Sequence, residues 1–229
     1  PDETFPGKHP LYHTGIYYLQ EPSAMLPANM LSAKPGEKIL DICAAPGGKT
    51  LKIASDMKGK GILFSNDINS QRTRALVKNI ELSGCTNCVV LNAPPKDLAL
   101  KFTEYFDKIL IDAPCSGEGM FRKDPSAIAS WEKFGPEKCV LMQDEILENA
   151  HLMLKPGGEI VYSTCTFNIN ENEEMILHFL ERHNDYKIIL SGLNEDIIRE
   201  SKIIKGVDLG RDTINSLRIL PHKSKGEGH

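Results

Sequence analysis

Two cysteines sit at the ends of apolar runs of strand length. Cys115 lies in Ile111-Asp112-Ala113-Pro114-Cys115-Ser116-Gly117-Glu118-Gly119, and Cys165 in Tyr162-Ser163-Thr164-Cys165-Thr166-Phe167-Asn168. A thiolate is a nucleophile that adds to electrophilic carbon and can later be expelled. A single cysteine in such a loop reads as a small buried hydrophobe. Two, at the ends of two strands, read as reactive chemistry if those strands are neighbours in a sheet. The first loop also carries a carboxylate, Asp112, and a basic pair, Arg122 and Lys123. Packing alone explains that combination poorly.

A second set of residues points to a cofactor. Cys43-Ala44-Ala45-Pro46-Gly47-Gly48-Lys49 joins an apolar run to a helical pattern, and its small side chains let backbone approach a ligand closely. The spacing is neither that of a phosphate-binding loop nor G-x-G-x-x-G, and the glycines alone fit any tight strand-to-helix turn. Eighteen residues after Lys49 the next apolar run ends in Ser65-Asn66-Asp67. A carboxylate there is well placed to accept hydrogen bonds from ribose hydroxyls. Together the two features imply an adenosine-containing cofactor.

These residues need a scaffold that gathers strand ends. Apolar runs of strand length occupy 38–43, 61–66, 88–91, 107–112 and 158–164, with helical patterns near 49–57, 69–83, 136–154 and 171–183. A further short helix starts at Glu21-Pro22-Ser23 and stops at Lys34-Pro35-Gly36. Continuously apolar strands alternating with helices predict an α/β fold, a mostly parallel sheet covered on both faces, with ligands beyond the strands' carboxyl ends. The helix from Pro136 places Val140, Leu141, Ile146, Leu147, Ala150 and Met153 on a buried face and stops at Pro156-Gly157-Gly158. Leu217-Arg218-Ile219-Leu220 is a last strand candidate, and 191–213 reads as loop.

The chain has 229 residues, of which 41% are hydrophobic and 25% charged, which excludes disorder and a disulfide-stapled miniprotein. With 27 Lys and Arg against 31 Asp and Glu the net charge is −4, so any nucleic acid must meet a local basic patch. The six cysteines are scattered, as expected in a reducing cytoplasm. Cys43 and Cys139 read as core. Cys85 and Cys88 form one Cys-x-x-Cys with no second pair to complete a metal site. His151, His178 and His183 read as surface or packing residues on helices, and Trp131 as a hydrophobic anchor. No metal is expected, and no apolar run is long enough to cross a membrane. Both ends look cut, as in a fragment of a longer protein.

DICAAPGGKT, the strand-end SND, IDAPCSGEG and YSTCTFNINENE, in this order, resemble the Nop/Sun family of RNA cytosine-5 methyltransferases. The resemblance runs from His9-Pro10-Leu11 through Gln20-Glu21-Pro22-Ser23 to the final Pro221–His229. GEGMFRKDP, Trp131 and the GEGH ending are most similar to the bacterial small-subunit ribosomal RNA branch. The resemblance implies a class I methyltransferase fold using S-adenosylmethionine, bound by Cys43, Ala44, Ala45, Pro46, Gly47, Gly48, Lys49, Asp67 and Asp112. It implies a lead-in segment over 1–35 packing on a catalytic domain over 36–229, without the RNA-binding part of longer members. Many relatives contact the adenine through an Asp after the third strand. Here the stretch reads Leu91-Asn92-Ala93-Pro94-Pro95, so that contact stays unassigned.

The family's chemistry gives both thiols work. Carbon 5 of cytosine is a weak nucleophile until a thiolate adds at carbon 6. The family assigns that nucleophile to Cys165, adduct breakdown and product release to Cys115, and the cytosine's polar edge to Asp112. Residue types alone leave the order of the thiols open. The target base must leave its stack, which favours unpaired RNA. Arg122, Lys123, His222, Lys223 and Lys225 are candidate phosphate contacts. Ribosomal RNA or the small subunit is the expected partner and the cytoplasm the expected location, with the oligomeric state open. The rivals are a transfer RNA cytosine-5 methyltransferase, a methyltransferase of a non-nucleic-acid substrate, which needs no thiol pair, a nicotinamide dehydrogenase, and a silent RNA-binding module.

Overall fold

A computed structural model describes residues 5–121, 125–189 and 217–219. Its strands are β1 (Lys38–Asp41), β2 (Ile62–Asn66), β3 (Cys88–Leu91), β4 (Phe106–Asp112) and β5 (Leu154–Ser163), in one sheet of order β3-β2-β1-β4-β5. β1 runs parallel to β2 and β4, and β2 parallel to β3, with Leu40 opposite both Phe64 and Ile109. The helices are α1 (Pro10–His13), α2 (Pro22–Leu31), α3 (Gly48–Met57), α4 (Ser70–Ser83), α5 (Pro95–Ala99), α6 (Pro125–Met153) and α7 (Glu173–Arg182). α3, α4, α5 and α6 connect successive strands, the alternation expected of a parallel α/β sheet. The order reverses where β1 meets β4, so the segments after these two strands flank the sheet's switch point.

Local chemistry sets the element ends. Pro22 opens α2, with the Glu21 carboxylate accepting from Ala24 N at 3.1 Å. The α2 C-terminus is satisfied by Lys108 of β4, whose ammonium donates to Leu31 O at 2.9 Å and Ser32 O at 3.0 Å. Asn69 caps α4 by accepting from Gln71 N and Arg72 N, and Gly84 ends it with φ of 70°. The lead-in lies against α4: a Cβ on Gly15, whose φ is +76°, would stand 2.0 Å from Leu82 O. Ile39, Leu40, Leu63, Ile109, Leu110 and Ile111 are fully buried along the central strands, and Phe64, Phe102, Tyr105 and Phe106 form an aromatic cluster.

Four expectations change. Leu217-Arg218-Ile219 has no strand structure; Ile219 is buried, but Arg218 is drawn into an ion pair with Glu173. The long helix ends at Met153 rather than at Pro156-Gly157-Gly158, because β5 already begins at Leu154 and takes up the Pro-Gly-Gly. Leu141 is 74% exposed, and the buried stripe runs Cys139, Gln143, Ile146, Leu147, Ala150, a 3.6-residue period that leaves position 141 on the far face. α6 also starts earlier than expected, at Pro125, and breaks at Gly135 (φ 64°, ψ 165°) immediately before Pro136.

By internal contacts the chain forms two compact units. The first holds the chain through Asp112 together with Asn149–Tyr162, and so nearly all of the sheet. The second holds Ala113–Glu148 and the chain from Ser163.

Candidate active site

In the first unit, Cys43 to Lys49 leave β1 and open α3. Asn66, 1% exposed, ties together the ends of three strands: its amide donates to Ile42 O at 3.1 Å and Ala93 O at 3.0 Å, and its oxygen accepts from Ala93 N at 3.0 Å. The outer side of the loop is pinned from α4, where Arg72 donates to Ala45 O at 2.7 Å and Asn79 to Pro46 O at 2.8 Å. Gly47 has φ of +117°, which an L side chain rarely adopts, and a Cβ on Gly48 would lie 2.9 Å from Tyr18 and Gln20. Gly47 is thus demanded by the backbone, whatever the loop binds, whereas a side chain at Gly48 would displace Gln20 and Tyr18.

Carboxylates stand at the ends of β1, just after β2, and of β4. Lys49 is buried and spent on Asp112, Nζ to Oδ2 at 2.7 Å, so it is a strut rather than a free phosphate ligand. Asp41 is fully buried. Thr50 donates to its Oδ2 at 2.7 Å, while Oδ1 has no hydrogen-bond partner. Burial pushes the Asp41 carboxyl up to about 7, only partly offset by the Thr50 bond. Asp67 is 3% exposed; Oδ1 accepts from Asn69 N at 2.8 Å and Oδ2 lies 3.5 Å from Arg72 Nη1. The Asn92 amide donates to Asp67 O at 2.6 Å and approaches Thr73 Oγ1 at 3.3 Å. Asn92 thus holds the Asp67 backbone in place. The carboxylates of Asp67 and Asp112 make an acceptor-rich set that fits a cofactor bearing both hydroxyls and positive charge.

The second unit contains the thiols. The segments leaving β4 and β5 are side by side, with Ala113 N donating to Ser163 O at 2.8 Å. Cys115 and Cys165 meet, Sγ to Sγ at 3.2 Å, and Cys165 N donates to Cys115 Sγ at 3.3 Å. The Cys115 thiol is held well above its ordinary range, first by its hydrogen bond to Cys165 and then by burial. Two thiols sharing a site lose their protons in separate steps, so when one sulfur carries charge the other keeps its proton. The expected convergence of two strand ends is therefore observed.

Behind the thiols lies a network that sequence reasoning missed. Glu171 is fully buried and accepts from Ser116 N at 3.0 Å, Ser116 Oγ at 2.5 Å and Gln143 Nε2 at 2.9 Å. Ser116 Oγ lies 2.8 Å from Thr166 Oγ1, and Glu118 accepts from Thr166 Oγ1 and Phe167 N. Glu171 was visible as part of NINENE, without a role; Gln143 gave no signal beyond a polar residue among apolar ones. Cys139 is buried, as read from the sequence, and its thiol is pushed up to about 11 by burial. Trp131 packs edge-on to Phe121 but stays 37% exposed. His183 stacks on Phe179 and contacts Glu148, and His178 is exposed. Arg122, Lys123, His222, Lys223 and Lys225 lie outside the described residues. Among the described residues no cluster of metal-ligating side chains occurs, and no helix is long and apolar enough to cross a membrane.

Known proteins are similar to this chain in sequence and fold. The family model for 16S rRNA methyltransferase RsmB/F matches residues 28–229. Ribosomal RNA small subunit methyltransferase F of Shewanella amazonensis is 34% identical over 230 residues, covering all of this chain and 48% of that protein. The chain thus spans about half the length of this curated relative. A methyltransferase homolog protein from Pyrococcus horikoshii superposes with a TM-score of 0.79 at 31% identity, over 97% of this chain and 68% of that one. NSun6 from the same organism, solved with SFG, gives a TM-score of 0.80 at 28% identity, over 97% and 53%. With its sheet order and switch point, the fold is that of a class I S-adenosylmethionine-dependent methyltransferase, and the chain belongs to the 16S rRNA methyltransferase RsmB/F family.

Proposed function

We propose that this chain is the catalytic core of an S-adenosylmethionine-dependent RNA methyltransferase acting on carbon 5 of a cytidine, with small-subunit ribosomal RNA as its substrate. The observation that carries the reading is the contact of two thiols, 3.2 Å apart, on the loops after β4 and β5. A methyltransferase of amines, hydroxyls or small metabolites has no use for such a pair. Cytosine has, because its carbon 5 must first be made nucleophilic. The names of the relatives favour ribosomal over transfer RNA.

Cys43 to Lys49, Asp67 and Asp112 would hold the cofactor, which supplies an electrophilic methyl group. The chain's residues do the rest. Cys165 Sγ, as thiolate, adds to carbon 6, forming a C–S bond and moving the electron pair to carbon 5. Cys115 keeps its proton at this stage, consistent with its raised titration range. After methylation the carbon 5 proton passes to a base, the pair returns to form the 5,6 double bond, and the C–S bond breaks to release the Cys165 thiolate. Cys115 assists that last stage. Asp112, braced by Lys49, orients the polar edge of the base. Arg122, Lys123, His222, Lys223 and Lys225 contact phosphates, and residues 1–35 form a lead-in to a catalytic domain over 36–229.

The two thiols make the reading testable. Cys165→Ala should abolish both methylation and any covalent link to RNA. Cys115→Ala should still allow attack, and accumulate a protein–RNA conjugate that survives a denaturing gel. General loss of packing predicts like defects in both variants. The opposite pattern would swap the roles, and retained activity without a conjugate in either would overturn the mechanism.

A further inference from the structure

Glu171 takes no part in the chemistry above, yet it is completely buried, and three donors from Ser116 and Gln143 are among those that converge on its carboxylate. Two of them, the backbone N–H and hydroxyl of Ser116, belong to the residue after Cys115. Through Ser116 Oγ the network reaches Thr166 Oγ1 at 2.8 Å, the residue after Cys165. Gln143 extends it on the other side, donating to both Glu171 and Pro114 O at 2.8 Å, the residue before Cys115. One carboxylate therefore holds the residue after Cys115 directly, the residue before it through Gln143, and the neighbour of Cys165 through the contact of the Ser116 and Thr166 hydroxyls. A structural carboxylate would be satisfied anywhere in the unit; this one sits where the relative position of two sulfurs is decided.

We propose that Glu171 is the positioning residue of the thiol pair, holding the Cys115 and Cys165 loops in register through Ser116. The inference rests on the reading of Cys115 and Cys165 as a working pair. Chemistry explains why the residue is an acid. A carboxylate offers acceptor sites on both oxygens, matching three N–H and O–H donors. A glutamine of the same size must turn an NH2 toward at least one of those donors, so that loop moves away. Misplacement by about 1 Å in a reacting pair can cost roughly a hundredfold in rate.

The test uses the whole chain and two independent readouts. The first is cross-linking of Cys115 to Cys165 by dibromobimane, followed by fluorescence and peptide mapping, in a Cys85→Ser/Cys88→Ser background. It needs neither RNA nor cofactor. The second is the split between kcat and KM for RNA methylation. Glu171→Gln should slow cross-linking and lower kcat by about ten- to a hundredfold, while KM for RNA and for S-adenosylmethionine stay within about threefold and thermal unfolding stays cooperative. Ser116→Ala should reproduce the effect, and the double variant should be no worse than the more severe single one, because both break one connection. Wild-type cross-linking and kcat in Glu171→Gln would overturn the proposal. So would a parallel fall of cross-linking, substrate affinity and melting temperature, the mark of a merely structural residue. Should the unmutated chain fail to methylate cytosine while Glu171→Gln still slows the cross-link, the reaction assigned above is wrong and the positioning role stands.

Discussion

At the scale of single residues, the acids of the cofactor loop differ in how they can be tested. Asp67 is expected to accept from ribose hydroxyls, so Asp67→Ala should weaken S-adenosylmethionine binding by about 1.5–3 kcal/mol, or roughly ten- to a hundred-and-fifty-fold. Titration calorimetry checks this, and unchanged affinity would move the ribose contact elsewhere. Asp41 gives a pH signature. Its folded carboxyl titrates about 7 against an ordinary 3.8, so between these values the native state binds more protons than the unfolded one. Its contribution is then fully present below about pH 4 and is lost as pH rises towards 7. Asp41→Asn should flatten that decline in a urea-unfolding series across this range. Asp67 could be singled out from the sequence because it directly follows a strand, where ribose is expected to lie. Asp41 could not, since nothing in a one-dimensional string marks a carboxylate oxygen left without a donor.

Among the elements, β4 and α2 are joined by one cation. Lys108 is 6% exposed, donates to two carbonyls at the end of α2, and lies 3.6 Å from Glu37 and 3.3 Å from Glu159. Lys108→Ala leaves the buried Leu31 carbonyl and the part-buried Ser32 carbonyl without this donor. A loss of about 1–3 kcal/mol is expected, read from urea midpoints. Period-2 and period-3.6 patterns find elements because burial of apolar area drives them. They misplace residues where a polar side chain replaces an apolar one, as Gln143 does within the buried stripe of α6 while Leu141 faces outward. Leu217-Arg218-Ile219 has no strand structure, and Arg218 pairs with Glu173, a contact that no period marks.

Over the whole molecule, the alternation of strands and helices was enough to anticipate a parallel sheet, because short connections and right-handed crossovers leave few topologies. The meeting of the thiols, 50 residues apart in sequence, followed from the single condition that β4 and β5 be neighbours. What pattern could not supply was the network behind them. Glu171, Ser116, Gln143 and Thr166 come from separate stretches of chain, and a contact among polar side chains leaves no period. The proposed RNA contacts were likewise read from charge alone, which gives sign without direction.

Arg218 sets an order in time. Its guanidinium grips Glu173, itself 3% exposed, and donates to Phe167 O at 3.1 Å, two residues beyond Cys165 and 51 before Arg218. A ribosome delivers the chain from its N-terminus, and contacts form only when both partners have emerged. Both cysteines, Glu171 and the whole sheet are therefore made well before the clamp that finishes the Cys165 loop. The sheet can form early, while the loop that carries Cys165 gains this clamp later. Arg218→Ala should leave Glu173 buried without this cation and cost about 3–5 kcal/mol in equilibrium unfolding, and Arg218→Lys, lacking the planar fork, should recover only part. Such ordering would keep a reactive thiolate from maturing on a half-made chain beside the very RNA class it is proposed to modify.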